Sequence, residues 1–126
     1  MATTNWGAAD NLQQGLPHTF AAMQKLVMAM EDAYKSRGKT TFFGHDRGLK
    51  AHRNFEDRLR DTLLAMSMDG LVKRTSSAEE YWGAIGAVIN QWAEIFPNWP
   101  AAYTFANEML GNKADGQKLV AMLIRV

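Results

Sequence analysis

An all-α fold, one compact domain of four to five helices, is what this chain of 126 residues predicts. Apolar residues recur at three- and four-residue spacing along most of it, the period of a helix with one buried stripe. Proline, glycine and capping residues interrupt that pattern at helix-length intervals. The one apolar run of undecided period, at the C-terminus, has no convincing strand partner. The expected division is an N-terminal extension over 1–16 and a single helical domain over 17–126, with a central helix over about 78–96.

The first long helix opens at Pro17, which suits a first turn because the amide hydrogen it lacks has no helical acceptor there. Phe20, Met23, Leu26, Val27, Met30 and Tyr34 form its stripe, and it ends near Gly38. A loop, GKTTFFG, leads to a second helix from about Asp46 to Met68. Its inward side is Gly48, His52, Phe55, Leu59, Leu63 and Met66, with Lys50, Arg53, Asp57, Arg60 and Asp61 facing out. Gly70 is the left-handed stop, and Leu71 turns back toward Met66. Ser77 and Glu80 form a capping box for the third helix, whose Tyr81, Trp82, Ile85, Val88, Ile89, Trp92, Ile95 and Phe96 cover so wide a face that it is expected at the centre. Pro97 and Pro100 break it, and Asn98 caps a fourth helix that Gly111 stops. For the last run, DGQKLVAMLIRV, with Asp115 as its cap, helix is preferred to strand.

With 47% hydrophobic and 21% charged residues the chain is globular in composition, and a chain of this size buries roughly two-thirds of its unfolded surface. The absence of cysteine removes disulfides, thiolate metal sites and cysteine nucleophiles from its own chemistry. The N-terminal residues carry neither a basic leader nor a long apolar run, and no stretch reaches membrane-span length, so a cytoplasmic protein without membrane contact is expected. Net charge is +1 but unevenly spread: residues 35–60 hold eight Lys/Arg against Asp46, Glu56 and Asp57, which is +5 there and −4 elsewhere.

That basic third is also where the chemistry concentrates. His45, His52 and Glu56 could share one helix edge as metal donors, but only His52 and Glu56 have the i,i+4 spacing of known helical pairs. His52 is expected beside Phe55 and Leu59 at the edge of the core, and no metal site is assigned. The neighbouring carboxylates Glu31/Asp32, Glu56/Asp57 and Glu79/Glu80 point about 100° apart on a helix and are read as solvated charges, not catalytic dyads. No nucleophile elbow, phosphate loop or dinucleotide fingerprint is present, so no catalytic or cofactor residue is assigned.

The segment RLRDTLLAMSMDGLVKRTSSAEEYW resembles the part of winged-helix DNA-binding proteins in which a recognition helix runs into a basic strand and a wing. The resemblance implies a regulator contacting DNA through the basic 47–60 helix and the 70–76 turn, with Arg53, Arg58 and Arg60 toward the duplex and Lys73 and Arg74 opening the wing. The stretch in the place of the second wing strand, YWGAIGAVINQW, has helical spacing instead.

Met and Trp fall mostly at core positions, but Trp6, Met28, Phe42, Phe43, Leu64 and Trp99 have no obvious internal home. The function expected is therefore non-enzymatic: a small protein that binds another macromolecule, foremost a protein partner, with a second copy or nucleic acid as alternatives. Small cysteine-free helical chains of this kind are common among phage-encoded inhibitors, immunity proteins and bacterial accessory subunits. The residues expected at the partner surface are Lys39, Phe42, Phe43, Arg47, Lys50, Arg53, Arg60 and Leu64.

Overall fold

A computed structural model describes residues 2–38 and 47–125, with only the backbone of Arg47. Six helices follow one another: α1 (Trp6–Gly15), α2 (Pro17–Lys35), α3 (Arg47–Met68), α4 (Ala78–Ile95), α5 (Pro100–Leu110) and α6 (Lys113–Leu123). No strand occurs among the described residues, and the C-terminal run is helical. The count exceeds four or five because residues 6–15 also form a helix. Asn5 caps it by accepting from the Ala8 amide at 3.1 Å, and Ala9 and Leu12 join the core. Two buried side chains are too few to show as a stripe.

The most extensive helix contact is α2 against α3, then α2 against α5, while α4 packs chiefly on α6. So α2, rather than the 78–96 helix, holds the centre. A helix flanked on both sides needs two buried strips, and α2 supplies them with Met23, Leu26, Val27 and Met30 fully buried and Ala29 and Ala33 letting neighbours approach. The broad face of α4 is real, with Trp82, Ile85, Ile89 and Trp92 all buried, but α6, α1 and α5 share it.

Local signals set most helix ends. Gly70 has φ 79° and the Leu71 amide donates to the Met66 carbonyl at 2.9 Å, closing α3. Both halves of the Ser77/Glu80 capping box are formed at the start of α4. Two helix starts differ from expectation. Trp99 and not Asn98 is the N-cap of α5, because Pro100 already occupies the first helical position. Asn112 and not Asp115 precedes α6, with Asp115 inside the first turn. Gly111 stops α5 as expected, in the right-handed region at φ −71°.

The two helices that open on proline, α2 and α5, have Leu16 and Trp99 at the cap, and neither makes a side-chain cap hydrogen bond. A carboxylate from another helix end or face does the work in each case. Asp69, one residue past α3, accepts from the Thr19 amide at 2.6 Å and the His18 amide at 3.4 Å, and pairs with His18 Nδ1 at 2.8 Å. Burial by itself would raise the Asp69 carboxyl, but the hydrogen bonds from the Thr19 backbone and from His18 outweigh it and hold its pKa below the ordinary range. Glu31 of α2 accepts from the Ala102 amide at 2.6 Å while Lys35 pairs with its other oxygen at 3.0 Å. Glu31 is thus no solvated charge: it satisfies an orphan donor of α5 and favours that helix's positive end.

Candidate interaction surface

Helix α3 lays one side on α2 and touches α6, leaving a charged side outward. Ala51, Phe55, Leu59, Thr62, Leu63 and Met66 are buried. The outward side carries Lys50, Arg53, Asp57, Arg60, Asp61, Leu64 and Met68, all exposed. His52 is a correction: the spacing predicts it inside, and the structure exposes it, its ring 5.6 Å from that of Phe55. It has a core residue's angular position but lies within two turns of the start of α3. There the neighbours give way to a hollow of about 240 Å³, which Arg37, Gly48, Leu49 and Phe105 also line.

Of the six cations of the basic third whose side chains are described, four pair with carboxylates. Lys35 pairs with Glu31 at 3.0 Å, Arg58 with Asp61 at 3.8 Å and Arg60 with Asp57 at 3.5 Å. Arg60 also donates through Nε to the Leu123 carbonyl at 3.2 Å, tying α3 to the end of α6. Arg37 reaches Glu108 at 2.6 Å and lies over the rings of Tyr34 and Phe105. Lys50 and Arg53 form no ion pair among the described residues. Beyond them, Leu64 is 45% and Met68 65% exposed one turn apart on the same side.

Of the eight residues predicted for a partner surface, the structure places Lys50, Arg53, Arg60 and Leu64 together on this side of α3. Lys39, Phe42 and Phe43 lie outside the described residues, as does the side chain of Arg47 at the helix start. No cluster of metal-ligating side chains occurs among the described residues, and the His45 of the donor set considered above lies outside them. The winged-helix resemblance reaches no wing: residues 58–82 are the end of α3, a turn and the start of α4, without a strand.

A second feature is not visible in the sequence. Phe20, Trp92 and Phe96 stack into one aromatic cluster, with ring centroids 5.0 Å apart for Phe20–Trp92 and 4.5 Å for Trp92–Phe96. Beside it opens a hollow of about 190 Å³ lined by Gln24, Val27, Met28, Trp92, Phe96 and Trp99. Trp6 stands edge-on to Phe96 at 6.2 Å and remains 73% exposed, and Met28 is 59% exposed. Three of the residues without an internal home, Trp6, Met28 and Trp99, therefore gather at one corner. Pro97 and Pro100 end α4 and open α5, and Phe96 and Trp99 on that turn both line the hollow. Tyr103 locks the turn by donating its hydroxyl to the Phe96 carbonyl, and burial, helped by the Glu31 charge, pushes its phenol up to about 12.

Searches against protein-family models, characterised proteins and solved structures return no match for this chain.

Proposed function

We propose that this chain is a non-enzymatic binding protein that docks a protein partner through the outward side of α3, in the manner of small inhibitors, immunity proteins or accessory subunits. One observation supports the reading above others. Lys35, Arg37, Arg58 and Arg60 are each neutralised by a carboxylate, whereas Lys50 and Arg53 stand exposed with no such partner among the described residues. Leu64 and Met68 continue the same side as an apolar step, so the surface offers two cations and a small hydrophobic patch. The complementary partner presents carboxylates beside apolar side chains, and the charges serve mainly encounter and register.

Affinity capture tests this with the native chain and a Lys50→Glu/Arg53→Glu variant side by side, after circular dichroism shows both folded. A stoichiometric protein recovered by the native chain and lost with the variant is the expected result. Equal recovery by both, or no partner from either, refutes the proposed surface. Fluorescence anisotropy with duplex DNA addresses the alternative regulator. Association that weakens steeply with salt and vanishes in the same variant replaces the protein partner with DNA.

A further inference from the structure

A tryptophan three-quarters open to water beside an unfilled aromatic hollow is a knob next to a hole. Trp6 leads the outward side of α1, and Asp10 follows it one turn later on that side, also exposed. The hollow is walled by Met28 of α2, and Lys25 stands almost one turn before Met28, exposed and without an ion pair among the described residues. Knob then carboxylate on α1 matches hole then ammonium on α2. Because Trp6 already touches Phe96, which lines the hollow, knob and hole belong to one patch. That adjacency is what a two-fold interface requires, where a patch meets itself and each contact occurs twice.

We propose that the occupant of this hollow is Trp6 of a second copy of the chain. Each protomer inserts its indole between Met28, Trp92 and Trp99 of the other, and Asp10 of each meets Lys25 of the other. The hollow has no charged wall, and its one polar wall residue, Gln24, can hydrogen-bond an indole N–H. Two buried indoles remove only about 150–250 Å² of surface each, against the roughly 1,200 Å² of a firm interface. The dimer is accordingly weak and concentration-dependent. It rests on Trp6, Asp10, Lys25 and the hollow beside Met28, none of them among the α3 residues Lys50, Arg53, Leu64 and Met68, so either can fail without the other.

Sedimentation equilibrium of the purified chain over a wide concentration range reads the association directly. The native chain is expected to pass from one-chain to two-chain mass, and Trp6→Ala, which keeps its helix content and melting behaviour, to weaken the step roughly thirty-fold or more. Lys25→Glu and Asp10→Lys each weaken it, and the Lys25→Glu/Asp10→Lys double variant recovers the native mass profile because the pair is only reversed. A chain monomeric at every concentration overturns the proposal, as does a dimer indifferent to Trp6→Ala or a double variant no better than its singles.

Discussion

Replacing Gly116 by alanine sets two effects of opposite sign against each other inside α6. Alanine is the better helix former by about 1 kcal/mol, so on propensity the substitution stabilises. Gly116, however, lies on the face of Trp82: a Cβ there would stand 2.2, 2.3 and 2.6 Å from three atoms of the indole. Normal contact is about 3.5–4.0 Å, so the overlap exceeds 1 Å at two atoms. Trp82 is only 5% exposed and held by the core, so the ring has no room to swing and α6 must lift. Overpacking of this kind costs typically 1–3 kcal/mol, and the severity of the overlap puts this case at the upper end. The net expectation is a loss of about 1–2 kcal/mol.

Gly83 provides the control. It sits within α4, exposed, with nothing within 4 Å of its would-be Cβ, so Gly83→Ala should gain about 0.5–1 kcal/mol. Urea unfolding followed by circular dichroism measures both, at unchanged slope. If Gly116→Ala stabilises as much as Gly83→Ala, the close approach of α6 to Trp82 is wrong, and with it the packing of the C-terminal helix.

Two further outcomes follow from the carboxylates that cap helices across the fold. Asp69→Ala removes an acceptor from the Thr19 and His18 amides and should cost about 1–2 kcal/mol near neutral pH. Because the folded carboxyl titrates below its unfolded value, the native advantage is complete above about pH 4 and disappears as the pH falls through the folded pKa. Urea midpoints of the two proteins should therefore converge in acid, and a gap that persists there contradicts the assignment. Tyr103→Phe frees the Phe96 carbonyl and should cost about 1 kcal/mol. In the native chain one of the three tyrosines should ionise late, near pH 12, in an absorbance titration, and that late step should be missing from Tyr103→Phe.

The features legible in the sequence are those whose causes lie within one helical turn. The Ser77/Glu80 box spans three residues, Gly70 and Leu71 close α3 against Met66, and the stripe from Phe20 to Met30 repeats at the helical period. The α3 surface was half legible for the same reason: periodicity puts Lys50, Arg53, Arg60 and Leu64 outward on any helix covering that segment. It fails at His52, whose exposure depends on where its neighbours end, and at Glu31, which looks solvated beside Asp32. The partners of Glu31 and Asp69 are 71 and 50 residues away in the chain, and no local pattern encodes a cap supplied from such a distance.

The amino-acid sequence by itself determined the all-helical class, four helices with a fifth preferred to a strand, and the buried sides of α2, α3 and α4 apart from His52, because propensity, capping and hydrophobic period act over neighbouring residues. Only the tertiary structure decided that α2 is the central helix, which of the described cations of the basic third pair with a described carboxylate, and that Trp6, Met28 and Trp99 meet at one corner. Each of those depends on which surfaces are brought within a few ångströms of one another. That is settled by packing the whole core at once, and no single segment carries it.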